Sequence, residues 1–273
     1  MPDSKPLRVS IVTPSYNQGH LIEETIRSVL KQEYANLEYI VIDGGSTDGT
    51  VDILRRYTDR LGWISEPDAG QADAINKGLR MATGDILAYL NSDDTYLPGT
   101  VRTVVDAFQA HPEAGLIYGD CHATDIAGNV YGTIHGHPFD LARMVLRGEF
   151  VPQQAAFWSR RAMEAVGLFD AGLHFCMDHD FFIRVGQRFP AHYLPLPLAT
   201  FRFHADSKTV SREEAHWRES MAVSRRYGMT PWTLWYWIRV LRHRGLRALP
   251  SRLQLRIRRG LNRAHDPVVA RRP

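Results

Sequence analysis

Cysteine is scarce. Only Cys121 and Cys176 occur in 273 residues, which excludes a disulfide-stapled scaffold and suits a reducing cytoplasm, with both thiols serving packing. Long apolar runs are also missing. No stretch reaches the roughly 20 apolar residues that cross a bilayer, and the nearest run, Trp232 to Leu241, is interrupted by Arg239. The opening MPDSKPLRVSIV lacks the apolar core of a secretory signal. Acidic residues nearly vanish from the last part of the chain. From Arg225 onward there are thirteen Arg and one acid, Asp266, a net +12 in a chain whose total is +3, so residues 1–224 carry −9. Repeats are absent, and the Arg-rich tail is the only biased tract. What is present is ordinary for a globular protein: 44% hydrophobic and 23% charged residues, enough for one large domain, or one domain plus an appendage.

Strands and helices alternate in the first half. Arg8–Thr13, Leu37–Asp43, Trp63–Ser65 and Ile86–Leu90 read as strands. Helical spacing of apolar residues covers Leu21–Leu30, Thr47–Tyr57 and Ala72–Met81. That order predicts an α/β fold with a mostly parallel central sheet flanked by helices. A helix over Pro98–His111 and a strand at Gly115–Tyr118 follow, with Pro98 suited to a first turn. Beyond residue 120 the alternation weakens. Strands are expected at Val130–Ile134, Gln154–Trp158, His192–Leu196 and Thr200–Phe203, and helices at Arg160–Val166, Asp178–Arg188 and Ser211–Tyr227. Ser211 and Glu214 form a capping pair for the last of these.

Three strands end in polar loops that their helices do not need: Thr13-Pro-Ser-Tyr-Asn-Gln-Gly19, Asp43-Gly-Gly-Ser-Thr-Asp-Gly49 and Asn91-Ser-Asp-Asp94. In a parallel sheet all three lie along one edge, where α/β proteins bind ligands. Asp43 can accept a hydrogen bond from a base imide, and Gly44 and Gly45 let a ligand approach the backbone. Ser46, Thr47 and Asp48 serve to cap the next helix. Asp93 and Asp94 repel each other at the end of a buried strand. A divalent cation carrying a diphosphate offsets that repulsion.

Val9-Ser-Ile-Val-Thr-Pro-Ser-Tyr-Asn17, Ile42-Asp-Gly-Gly-Ser-Thr-Asp-Gly-Thr50 and Ala82-Thr-Gly-Asp-Ile-Leu-Ala-Tyr-Leu-Asn-Ser-Asp-Asp94, in this order, closely resemble family 2 glycosyltransferases. The resemblance runs from about Arg8 to His204 and implies the GT-A fold and inversion at the anomeric centre. It places a catalytic domain at residues 1–224, with a nucleotide-sugar half to about 120 and an acceptor half from about 121, followed by a helical basic extension at 225–273. By the family pattern Pro14, Tyr16, Asp43 and Gly44 line the nucleoside pocket. Asp94 holds Mg²⁺ or Mn²⁺, and Asp93 faces the ribose or the metal shell, with Ser92 standing where a strict DxD motif has an acid. Asp73 reaches a sugar hydroxyl or ribose, whereas Asn76 and Lys77 read as helix surface. Met177-Asp-His-Asp180 resembles the acceptor-side "ED" segment, with Met177 in place of Glu; Asp178 is then the base and Asp180 its substitute. His204 resembles a metal- or diphosphate-reaching histidine, and Gln153 and Gln154 an acceptor-side turn.

The implied partners are a nucleotide-sugar donor and a glycan or lipid-linked acceptor, in cell-surface polysaccharide or glycolipid synthesis. Trp232, Trp235, Tyr236 and Trp237 stand beside Arg239, Arg242, Arg244 and Arg247, the composition of a helix lying on an anionic membrane surface. That points to a cytoplasmic protein at the inner face of the membrane. No nucleic-acid motif accompanies the acidic body. Two other readings compete. A sugar-1-phosphate nucleotidyltransferase wants a basic phosphate loop after the first strand, and Pro14 to Gly19 has no basic residue. A non-catalytic nucleotide-sugar-binding protein is supported only by Met177.

Overall fold

The computed structural model describes residues 6–148, 151–203 and 213–247. Four strands form a parallel block: β1 (Val9–Ser15), β2 (Leu37–Asp43), β3 (Gly62–Ser65) and β4 (Ile86–Tyr89), ordered β3-β2-β1-β4. Ser15 pairs with Asp43, and Asp43 with Ser65, so these three strand ends share one edge. Helices α1 (Ile22–Leu30), α2 (Thr50–Arg55) and α3 (Gln71–Met81) make the connections. The sheet continues through β8 (Ala156–Ser159), β6 (Leu116–Thr124), β9 (Ala191–Arg202) and β5 (Thr95–Tyr96), and β7 (Val130–Ile134) pairs with β6. Beyond β4 the sheet is mixed. β8 runs antiparallel to both β4 and β6, whereas β6 and β9 run parallel to each other.

Alternation along the strands builds two cores, because successive side chains point to opposite faces. Val12, Ile40, Ile42, Leu87 and Tyr89 face α3 and α6 (Met177–Gly186). Val9, Ile11, Val41, Ile86 and Ala88 face α1 and α4 (Thr100–Ala110). Each fully buried Ile, Leu or Val contributes about 1.5–3 kcal/mol. Gly78 lets α3 lie close on β1, since a Cβ there would collide with Val12.

Two expectations change, and one element is new. The two short strands expected near residues 192 and 200 are one strand, β9, whose pairing with β6 slips between Tyr118 and Asp120. That irregularity accommodates Pro195 and Pro197, which a regular ladder would reject. Gln153–Ala155 is a 3₁₀ turn before β8 rather than its first residues. A π-helical segment, Arg143–Arg147, was not foreseen. After α5 (Arg160–Val166) and α6 come α7 (Glu213–Arg226) and α8 (Leu234–Arg247). The boundary expected after residue 224 falls in the last turn of α7. Ser211, expected to cap α7, and residues 248–273, expected as a helical extension, lie outside the described residues.

Candidate active site

The loops after β1 and β2 form one rim. Asn17 sits at φ 52, a left-handed conformation that Asn tolerates. Its amide donates to Ser46 Oγ (2.7 Å) and its Oδ1 accepts from the Thr47 amide (2.9 Å). The Gly19 amide donates to Asp48 Oδ2 (2.8 Å). Asp43 is fully buried at the base of this rim. Its carboxylate accepts from Ser46 Oγ (2.5 Å), the Ser46 amide (2.9 Å), the Gly45 amide (3.2 Å) and Ser65 Oγ (2.7 Å). Asp43 therefore holds its own loop, a role apart from capping α2, whose N-cap is Gly49. A carboxylate has about four acceptor positions, and Oδ1 bears only one of these donors, which leaves it able to accept another. Tyr16 is exposed and Pro14 buried. A Cβ at Gly44 would stand 2.6 Å from Asp68 Oδ2 and 3.4 Å from the Tyr16 ring, so any larger residue pushes the Asp68 side chain aside. Asp68, which the sequence reading did not single out, accepts from the Gly70 amide (2.8 Å). The Pro-Asp-Ala-Gly turn ahead of α3 was its available signal. Asp73 accepts from the Ala69 amide (3.1 Å) and lies 3.6 Å from Lys77. Asn76 is not surface. It is buried and exchanges two hydrogen bonds with the Phe169 backbone (2.9 and 3.0 Å).

The acidic loop follows β4. Asp94 has no exposed surface. Its Oδ1 accepts from the Arg202 backbone amide (3.0 Å) and its Oδ2 from Asn91 Nδ2 (3.3 Å), with the Gln154 side chain as a further donor. Burial first, and the charge of Asp93 second, push the Asp94 carboxyl well above the usual carboxylate range. Asp93 is half-buried. Thr25 Oγ1 donates to the Asp94 carbonyl (2.7 Å) and ties the loop to α1. Asn91 is the hub. Its Oδ1 accepts from Gln71 Nε2 (2.7 Å), and its Nδ2 also reaches Gln153 Oε1 (3.4 Å). Gln153 Nε2 donates to the Tyr89 carbonyl (2.8 Å). The acceptor-side Gln153 and Gln154, both buried, thus join the acidic loop directly. Arg202, also missed, pairs through its guanidinium with Glu24 (2.6 Å). His204 lies outside the described residues.

Asp178 opens α6. Burial is the main reason its carboxyl is pushed up to about 6; the amides of His179 and Asp178 pull it down, and Glu219 adds a smaller upward push. Its Oδ1 accepts from the His179 amide (2.8 Å). Glu219, from α7, accepts from the amides of His174 (2.9 Å), Phe175 (2.6 Å) and Cys176 (2.6 Å), closing the N-terminal end of α6. Asp178 and Asp94 both act on the buried Tyr89 hydroxyl, helping burial raise it far above the ordinary phenol value. Both carboxylates thus lie near enough to Tyr89, at the end of β4, for their charges to act on it.

The profile of Glycosyl transferase family 2 matches residues 10–165, more than half of the chain. The chain belongs to this family. It is 33% identical over 181 residues to an uncharacterized glycosyltransferase of Mycobacterium tuberculosis, covering 64% of this chain and 68% of the relative. It is 30% identical over 182 residues to a PGL/p-HBAD biosynthesis glycosyltransferase of Mycobacterium bovis, with the same two shares, 64% and 68%. Among solved structures, a mannosyltransferase from Pyrobaculum calidifontis in complex with GDP-Man and Mn²⁺ superposes with TM-score 0.65 at 23% identity, over 84% of this chain and 67% of that one. TarS from S. aureus in complex with UDP-GlcNAc gives TM-score 0.63 at 16% identity, over 80% and 66%. These likenesses establish the fold, GT-A, and the family makes the chain a glycosyltransferase. The nucleotidyltransferase reading falls with that.

Within the family 2 pattern, two expectations need revision. Asp94, expected as the metal ligand, turns inward onto Arg202 and Asn91, and Asp93 is the more accessible of the pair. Asp180, the substitute base, is buried and held by Arg184 (2.9 Å), Arg226 (2.9 Å) and Tyr227 Oη (2.8 Å). It braces α6 against α7, and its charge is met by two guanidinium groups, which lowers its worth as a base. Met177, where the family has Glu, packs into the core. Among the described residues, the grouping whose ligand atoms lie within 4.8 Å of one another is His111, Glu113 and His192. It sits where β6 and β9 begin, at the sheet edge opposite the acidic loop. The metal expected at the diphosphate does not belong there.

Proposed function

We propose that the protein transfers a sugar from a nucleotide-diphosphate sugar to an acceptor hydroxyl with inversion at C1. The observation that carries this reading is the hydrogen-bonded junction of the two halves of the catalytic domain at the end of β4, where Asn91 and Asp94 of the acidic loop meet Gln153 and Gln154 and Gln153 holds the Tyr89 carbonyl. The nucleotide-sugar half reaches to about residue 120 and the acceptor half to about 224. In the first, Pro14, Tyr16, Asp43, Gly44 and Asp68 surround the nucleoside, and Asp73 stands on the donor side at the start of α3.

The donor set for a cation fits. Two adjacent carboxylates supply oxygens of the kind Mg²⁺ and Mn²⁺ prefer, and one of them is buried and, among the described residues, has no cationic side chain bonded to it. Asp93 would hold the ion, with Asp94 orienting the loop from below. When bound, the ion supplies Lewis-acid stabilisation of the departing diphosphate. The chain's own residues do the rest. Asn91 and Gln153 fix the floor under the sugar. Asp178 accepts the acceptor O–H proton as the new O–C1 bond forms and the C1–O bond to the diphosphate breaks. A carboxyl near 6 is ionised at neutral pH and still basic enough for that task. One base suffices, because inversion needs no covalent intermediate.

The relative in PGL/p-HBAD biosynthesis supports an acceptor in cell-envelope glycolipid or polysaccharide synthesis. A cytoplasmic location at the inner face of the membrane follows from the same reading. Among the described residues no helix is long and apolar enough to cross a membrane. The test is a thermal-shift panel of UDP, GDP and dTDP, each with and without Mn²⁺, followed by nucleoside diphosphate release in the presence of acceptor and chelator. Nucleotide stabilisation that requires Mn²⁺, with release stopped by chelator, is expected. Binding without any turnover would favour the non-catalytic reading, and full turnover in chelator would remove the metal.

A further inference from the structure

Helix α8 has two unlike faces. Inward, Arg239 is mostly buried and donates to Ser224 Oγ (2.6 Å) and Ser220 Oγ (2.7 Å) of α7. Val240 packs with Met221 and Met229. Trp235 lies beneath the Arg147 guanidinium at 4.4 Å, and His243 stacks on Trp217 at 4.2 Å. Outward, Leu234, Trp237 and Leu241 recur at helical spacing and are 71%, 51% and 66% exposed, and Trp232 just before them is 95% exposed. Arg242 and Arg244 are exposed beside them. The sequence groups the aromatics of this segment with its arginines without assigning them to faces. The structure divides them and turns an Arg inward, so the apolar outer face is not what fastens α8 to the body. Singly exposed apolar residues need no explanation, but a continuous aromatic and aliphatic stripe does.

We propose that this outer face docks on an anionic lipid bilayer, with Trp232, Leu234, Trp237 and Leu241 at the level of the headgroups. Tryptophan and leucine edged by arginine is the make-up of helices that lie in the membrane interface. Directly after Arg247 the chain continues for residues 248–273 with seven Arg and one acid, Asp266, a charge that matches anionic headgroups and starts where the stripe ends. Four side chains are too few for a second copy, since a stable protein interface takes roughly 20–30 residues a side.

The stripe stands on the acceptor half. α7, which Arg239 grips, also carries Glu219, and Glu219 caps the helix that bears Asp178. Docking therefore sets the acceptor side of the cleft at the lipid surface and identifies the acceptor class as a hydroxyl carried on a lipid. This last step rests on the transferase reading above, and the docking itself does not.

The experiment is flotation of the full-length protein with vesicles of phosphatidylcholine alone or with about a third phosphatidylglycerol, at low and high salt. The wild type is expected to float with the anionic vesicles, less so at high salt. Brominated lipid should quench part of its tryptophan fluorescence. Trp232→Ser/Trp237→Ser/Leu241→Ser should lower partitioning about a hundredfold and lose the quenching, while keeping the nucleotide-induced thermal shift, because none of these residues lies in the loops proposed to bind the nucleotide. Equal flotation of variant and wild type would overturn the proposal, as would a wild type that stays unbound. A wild-type dimer that the triple variant dissociates would also overturn it, by assigning the stripe to a second copy. Vesicle binding without any response to nucleotide would leave the docking standing and strike down the lipid-acceptor step.

Discussion

Replacing Asp178 with Asn should make the protein more stable and nearly inactive. The folded carboxyl titrates at about 6 against an ordinary value of 3.8, because burial disfavours its charged form. The folded state thus binds this proton more tightly than the unfolded state. That preference stabilises the protein fully below about pH 4, fades as pH rises, and is gone above about pH 6, where the carboxylate is ionised in both states. A difference of about 2 pH units at 1.36 kcal/mol per unit means that ionised Asp178 costs the fold up to about 3 kcal/mol at neutral pH. Asn keeps the Oδ1 that accepts from the His179 amide and carries no charge. The variant should melt several degrees above the wild type at pH 7.5, on the order of 5 °C, with the gap closing toward pH 4.

In the same variant kcat should fall about a thousandfold, the scale of a lost general base, with nucleotide binding retained. The assays are scanning fluorimetry from pH 4 to 8 and nucleoside diphosphate release. Wild-type kcat/KM should fall toward acid with a limb near 6. A melting difference independent of pH would refute the burial argument. Loss of nucleotide binding equal to the loss of turnover would refute the assignment of Asp178 as base.

Glu219→Gln should cost about 1–3 kcal/mol, since three amides at the start of α6 lose a charged acceptor. Because Glu219 raises the Asp178 carboxyl, the acid limb of kcat/KM should also move to lower pH, which a purely structural cap would not do. Gly44→Ala puts a Cβ against Asp68; stability should change by less than about 1 kcal/mol, since one side chain can give way, while nucleoside diphosphate affinity by calorimetry should weaken about tenfold. Asp180→Ala leaves Arg184 and Arg226 without their shared carboxylate and should cost about 3 kcal/mol by urea denaturation. Turnover per folded molecule should stay within about tenfold of wild type, and a thousandfold loss would restore Asp180 as the base.

What could be read from the chain was whatever its own local order determines. β2, β7 and α5 were expected at the residues they occupy, because alternation or 3.6-residue spacing is complete within each segment. The three loops were legible because each lies immediately after its strand, and parallel pairing brings Ser15, Asp43 and Ser65 level. The prolines of β9 misled because a proline breaks a regular ladder, and only the partner strand reveals that the ladder slips where they fall.

The carboxylates of α6 show the limit more sharply. Asp178 and Asp180 are two residues apart in the same first turn, with the same intrinsic acidity and the same helix dipole, so nothing in their own segment separates them. α7 and the turn after it do. Arg226 and Tyr227 occupy Asp180, whereas Glu219 caps the backbone ahead of Asp178, whose half-buried carboxylate accepts from the His179 amide and, among the described residues, has no cationic side chain bonded to it. A base must be the acid that its surroundings leave unpaired. Here those surroundings come from a helix more than thirty residues downstream, so the choice of base is a property of packing and no motif confined to α6 could express it.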